Sequence, residues 1–186
     1  WISTISNFDR MFSLFQLDLK TKKIKEIISD TLPFQDESTH SITEDSNGNI
    51  WFTTSNGLAC YIDEESRFKL YRHDPNKPNS LPENKVMIVL IDRANKLWLG
   101  FDKEGLAYYD QKTDGFVKVT GSKGKPFRYV HDITEDREQG LWLGTKSGLF
   151  YLKDENSEFV GWSKKDGLPD NNVCTLIYDD LNSLWA

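Results

Sequence analysis

HDITEDREQGLWLGTKSGLFYLKD, residues 131–154, has two counterparts in the same chain: HSITEDSNGNIWFTTSNGLACYID at 40–63 and MIVLIDRANKLWLGFDKEGLAYYD at 87–110. A fourth copy, CTLIYDDLNSLWA, occupies 174–186. The tryptophans that anchor the alignment are Trp1, Trp51, Trp98, Trp142 and Trp185, separated by 50, 47, 44 and 43 residues. Self-similarity at such a period marks a repeat architecture, in which one supersecondary unit is stacked many times.

Each unit reads as four short strands. The first is apolar and β-branched, as at 87–91, and ends at an Asp six residues before the Trp: Asp45, Asp92, Asp136 and Asp179. The four residues that follow, 46–49 or 93–96 for example, carry Asn or Gly where a hairpin turn needs a left-handed residue. In the second strand the Trp is flanked by Ile50 and Phe52, Leu97 and Leu99, or Leu141 and Leu143. Neighbours along a strand point to opposite faces, so both faces are apolar and the sheet is expected to be covered on both sides. Gly57, Gly105 and Gly148 open a third strand, and a fourth is expected at 68–71, 116–119 and 159–162. Four antiparallel strands in roughly 45 residues, buried on both faces, make a propeller blade. Sustained helical periodicity is absent, which excludes solenoids of helix pairs.

The expected fold is therefore all-β: a β-propeller segment of about four blades' worth of four-stranded antiparallel repeats. A partial blade lacking its first strand is expected at 1–36, blades at 37–80, 81–125 and 126–167, and the first strands of a further blade at 168–186. Three arrangements fit this phase. The segment belongs to a larger ring of about seven blades, or it closes on itself as four, or two open halves associate about a two-fold. The first is preferred, because a chain that starts on Trp1 and stops just after Trp185, without Met, leader or tail, has the ends of a piece of something longer.

Composition narrows the function. The formal charge is −6 and the longest basic runs, at 20–25 and 123–125, are short. Nucleic acid, whose binding depends on clustered cations, is not an expected partner of this segment. No apolar run approaches the roughly 18 residues that cross a bilayer, so a membrane is expected only through a parent protein. Cys60 and Cys174 lie in apolar strand-like stretches without metal-ligand spacing and read as small buried hydrophobes. His40, Met87, His131 and Cys174 occupy one position of the repeat, five residues before the turn Asp. Equivalent positions lie around a ring, however, and metal–ligand bonds are only about 2.0–2.3 Å long, so no metal is expected there. The stretch from Asp45 begins like a calcium loop but has Asn56 where the bidentate Glu belongs, which leaves a turn. There is no Gly-x-Ser-x-Gly elbow, and Glu44/Asp45 and Glu135/Asp136 recur on opposite faces of a strand. No catalytic residue and no cofactor is expected in this segment.

The run Asp-x-x-x-x-Leu-Trp-Leu-Gly-Thr-x-x-Gly-Leu at 136–149 resembles the two-component regulator propeller repeat of Bacteroidetes-type hybrid sensor histidine kinases. The linkers Leu81-Pro82-Glu83-Asn84-Lys85-Val86 and Gly167-Leu168-Pro169-Asp170-Asn171-Asn172-Val173 are similar to that family's blade-to-blade connection. Residues 51–58 lack the usual Gly-Thr, 98–106 carry one extra residue, and a longer loop at 6–12 replaces the short Gly turn. The resemblance implies a periplasmic sensor segment of an inner-membrane receptor whose kinase lies elsewhere, and whose stimulus is an oligosaccharide released from a glycan. Open blade edges at 1–19 and 172–186 are expected to recruit other strands, so self-association is expected, through blade edges or as a receptor dimer. A propeller scaffold for protein partners, and a propeller lyase or glycosidase, are the rival readings.

Strands in a propeller are committed to packing, so recognition falls to loops. Blade-to-blade connections and the loops between second and third strands share one face. That face is expected to present His40, Arg72, Lys103, Arg128, Tyr129, His131 and Lys146 as ligand-binding residues, with His73 and Glu104 beside them. The set supplies polar groups for sugar hydroxyls and an aromatic ring for the sugar face.

Overall fold

The computed structural model describes residues 2–5, 12–27, 39–54, 56–120 and 128–186. Ile2–Ile5 (β1), Phe12–Leu17 (β2) and Ile24–Glu26 (β3) form a three-stranded sheet. Three four-stranded sheets follow. The first is Ile42–Glu44 (β4), Ile50–Thr54 (β5), Gly57–Ile62 (β6) and Arg67–Tyr71 (β7). The second is Val86–Ile91 (β8), Leu97–Phe101 (β9), Leu106–Asp110 (β10) and Gly115–Val119 (β11). The third is Val130–Glu135 (β12), Leu141–Thr145 (β13), Gly148–Leu152 (β14) and Val160–Trp162 (β15). Ile177–Tyr178 (β16) and Leu184–Trp185 (β17) make a two-stranded piece.

Within each sheet consecutive strands pair antiparallel, and between sheets it is the first strands that meet, β4 with β8, β8 with β12 and β12 with β16. This is the radial arrangement of a propeller, with the first strand of each blade innermost. The all-β propeller read from the repeats is the fold observed. The loop expected at 6–12 lies almost wholly outside the described residues.

Burial follows the pattern around each Trp. β5 and β9 are buried at every position, because each strand is sandwiched between two neighbouring blades. The core accordingly consists of layers between sheets. Leu14 packs with Ile50 and Phe52, Trp51 and Leu58 with Leu99 and Phe101, and Trp98 and Leu106 with Val130 and Leu143. Each large apolar side chain buried in this way contributes about 1.5–3 kcal/mol.

The Asp six residues before the Trp has a clear task. Asp45 Oδ1 accepts the N–H groups of Asn47 (2.9 Å) and Asn49 (3.0 Å), while Oδ2 accepts the Trp51 indole N–H (2.9 Å). Asp92 does the same for Lys96 and Trp98, and Asp179 for Leu181, Ser183 and Trp185. One carboxylate thus satisfies the turn and pins the indole. The residue before the second strand's approach is left-handed each time: Gly48 (φ 80°), Asn95 (61°), Gln139 (68°) and Asn182 (64°).

The third blade departs from this rule. Asp136 still accepts Glu138 and Gly140 N–H at 2.9 Å, but the buried Trp142 indole N–H finds no acceptor among the described residues. Its ring stacks on Trp162 at 5.4 Å instead. Gly140, rather than serving as the left-handed residue, makes room: a Cβ there would lie 2.2 Å from the Tyr151 hydroxyl.

Candidate ligand-binding face

Because strands alternate in direction, the second-to-third-strand loops and the blade connections emerge together. Every residue expected on this face is found in one of those segments or at the adjoining end of a first strand. His40 precedes β4, and its backbone N–H donates to Thr53 Oγ1 at 3.1 Å. Arg72 follows β7 and borders the Gly57 turn, where its Cγ lies 3.3 Å from the position a Cβ would take. Lys103 and Glu104 form the β9–β10 loop, whose N–H groups both donate to Glu83 Oε1, at 2.5 and 3.2 Å. Glu104 is ion-paired to Lys118. His73 is turned into its own linker, with Nδ1 2.7 Å from the Leu81 carbonyl oxygen.

The tightest grouping straddles the second and third four-stranded blades. Asp102 is buried, and Lys85 meets its charge at 3.3 Å. The Asp102 carbonyl accepts the Tyr129 N–H at 2.7 Å, and the Tyr129 carbonyl in turn accepts the Lys146 N–H at 3.2 Å. These bonds hold Tyr129 in a left-handed conformation, φ 55°, uncommon for an aromatic residue. The same bonds bring the Lys146 ammonium to 4.6 Å from the Tyr129 ring centre, a cation–π contact. Arg128 is exposed next to Tyr129, and Lys103 is exposed next to Asp102.

His131 sits at a β-bulge, where the register between β12 and β13 shifts between Val130 and Asp132. Bulges re-aim side chains, and this one presents His131 to the following blade, Nε2 lying 3.1 Å from Asn172 Oδ1. Asn172 donates on to Cys174 Sγ at 3.3 Å, and Asp170 accepts the Asn172 N–H at 2.9 Å. That backbone hydrogen bond holds the Asp170 carboxyl below its usual range. Cys60 is buried as expected, but Cys174, read as buried from its apolar neighbours, is exposed.

Two residues that sequence reasoning passed over tie the inner strands together. Ser41 Oγ donates to the Val89 carbonyl (3.3 Å) and accepts the Val89 N–H (3.2 Å), joining β4 to β8. Asp132 Oδ2 accepts the Leu176 N–H at 2.7 Å, joining β12 to the last blade. Both stand one residue after a repeat-equivalent His, and that shared place is the signal that could have found them. The structure therefore brings Tyr129, Lys146, Arg128 and Lys103 into one neighbourhood with His131 alongside, while His40 and Arg72 belong to the preceding blade. Among the described residues no three His, Cys, Asp or Glu side chains gather into a group able to hold a metal ion.

The family model described as two-component regulator propeller matches residues 33–56 and 124–147. Those two stretches carry the two-component regulator propeller repeat. Among curated proteins, Histidine kinase P4 of Formosa agariphila is 34% identical to this regulator-propeller segment over 230 aligned positions, 97% of the chain. Among solved structures, the extracellular domain of a hybrid two-component system of B. thetaiotaomicron superposes with a TM-score of 0.66 at 25% identity over 78% of the chain. Virginiamycin B lyase from Staphylococcus aureus matches at 0.58 and 19% identity, over 86% of the chain and 54% of its own, and shares the fold alone. The segment spans 16% of the length of the curated kinase and 21% of the extracellular domain. It is homologous to extracellular regions of two-component receptors. No helix among the described residues is long and apolar enough to cross a membrane.

Proposed function

We propose that this regulator-propeller segment is part of the extracytoplasmic ligand-sensing region of a two-component receptor, and that its connection face binds a glycan-derived oligosaccharide. The observation that carries the receptor reading is the alignment of 97% of the chain with a histidine kinase. The ligand reading is supported by Tyr129, an aromatic ring fixed between two blades with the Lys146 ammonium 4.6 Å from its centre and with Arg128 and Lys103 exposed on the adjoining loops. Three exposed or ring-stacked cations on this face suit an oligosaccharide bearing carboxylate or sulfate groups. The segment contributes recognition, with catalysis placed elsewhere in the receptor. A ligand shifts a receptor's state only through its differential affinity for two arrangements. Here the candidate two-state element is the pair of blades that Tyr129 bridges.

A thermal-shift screen against glycan-derived oligosaccharides, neutral and acidic, tests this reading. Binding stabilises the folded chain by mass action, about 2.7 kcal/mol at a hundredfold excess over Kd. The expected result is a shift with one acidic family that weakens as salt is raised and is lost in Lys146→Ala. A panel that stabilises nothing contradicts it.

A further inference from the structure

The propeller repeats the same inter-blade groove on the opposite face, where the Asp–Trp turns lie, and two successive grooves are lined differently. Between the second and third four-stranded blades, Lys96 lays its ammonium 5.1 Å from the Trp98 ring centre and 4.1 Å from that of Tyr108. Glu155 of the next blade then pairs with it at 2.8 Å. The Lys96–Glu155 ion pair lies in that groove, which still encloses about 220 Å³. One blade earlier the equivalent positions are Asn49 for Lys96, Cys60 for Tyr108 and Gln111 for Glu155, each smaller or neutral. Asn49 folds back, its Nδ2 donating to Asp45 Oδ2 at 3.0 Å. The cleft between these residues encloses about 170 Å³.

Aromatic rings form its inner surface: Trp51, with Tyr71 stacked at 5.7 Å and Tyr109 at 5.0 Å. Both tyrosine hydroxyls donate to Asp114 Oδ1, at 2.9 and 2.7 Å, which fixes the rings. Lys69, paired to Asp114, closes the β7 end. The mouth carries the amides of Asn47, Asn95 and Gln111. At about 30 Å³ per water, the cleft has room for roughly five waters, on the order of a single sugar ring.

We propose that this cleft is a second binding site, specific for a neutral pyranose unit. Amides at the mouth supply paired donors and acceptors for vicinal hydroxyls, and the aromatic surface supplies the apolar contact a sugar ring's C–H face requires. A cationic ligand is disfavoured because the Lys69 ammonium already lies 4.9 Å from the Tyr71 ring centre, and the acid that pairs with Lys96 in the neighbouring groove is here a glutamine. The proposal rests on the sensor reading for the saccharide class alone; the site and its residues are independent of the connection face.

The test uses the 186-residue chain with methyl β-glucopyranoside, methyl β-galactopyranoside and methyl α-mannopyranoside, read by saturation-transfer NMR and tryptophan fluorescence. Saturable binding of at least one is expected. The paired variant Asn49→Lys with Gln111→Glu, which sets across the Trp51 ring the ion pair that its neighbour carries, should weaken binding at least about tenfold, a loss of about 1.4 kcal/mol. Lys146→Ala should leave it unchanged. The milder pair Asn47→Ala with Gln111→Ala, both at exposed positions, provides the same comparison should the charged pair disturb folding. Binding that survives both pairs, or is lost only in Lys146→Ala, overturns the cleft and leaves the connection face standing. Absence of binding by all three glycosides also overturns it, while the screen with acidic oligosaccharides judges the sensor reading separately.

Discussion

At the scale of single residues, the chain repeats two devices. The first is the turn carboxylate. Asp92→Ala leaves the Lys96 and Trp98 N–H groups without their acceptor and is expected to cost about 2 kcal/mol or more in denaturant unfolding. The second is the glycine that opens the third strand. Gly148 has φ 138° and lies under the Trp162 carbonyl, where a Cβ would come within 2.2 Å of oxygen, so Gly148→Ala should cost about 2 kcal/mol or more. Ionisation gives a further check in the inter-blade cleft. Burial pushes the Tyr109 hydroxyl up to about 12, where the ordinary value is 10.0. A raised folded value means the contribution of this group is complete below pH about 10 and is lost as pH rises towards about 12. Melting temperature followed through that window should fall less steeply in Tyr109→Phe. The Asp six residues before each Trp was legible because five tryptophans set the frame. Tyr129 and Gln139 were not, since neither residue type announces a left-handed backbone; their neighbours across the blade impose it.

At the scale of elements, the four-strand order was legible from Asp, Trp and Gly spacing, and both-face burial of β5 and β9 followed from the apolar residues flanking Trp51 and Trp98. The Tyr129–Lys146 contact was not legible. It arises where the connection into one blade meets a loop of that blade against the carbonyl of Asp102 in the blade before, a relation between segments that local pattern does not encode. The two-stranded piece β16–β17 leaves Ile177, Leu181 and Trp185 exposed. An unpaired strand edge with exposed apolar side chains recruits other strands. Sedimentation of this chain should therefore show concentration-dependent association, reduced by Trp185→Lys. Association that the substitution leaves unchanged places the contact elsewhere.

At the scale of the whole molecule, the propeller separates two surfaces: blade connections on one, Asp–Trp turns on the other. The sensor reading puts ligand on the first, and the cleft between the first two four-stranded blades puts a neutral sugar on the second. Cross-blade ties through Ser41 and Asp132 make the inner strands a common frame, so a ligand that bridges blades acts on their relative packing. The most direct measurement is amide hydrogen exchange of the chain with and without an oligosaccharide that stabilises it. The account predicts protection at 102–105, 128–132 and 145–148, around Tyr129 and Lys146. Protection that avoids those segments, or a uniform change along the chain, contradicts the claim that the connection face is where this segment meets its ligand.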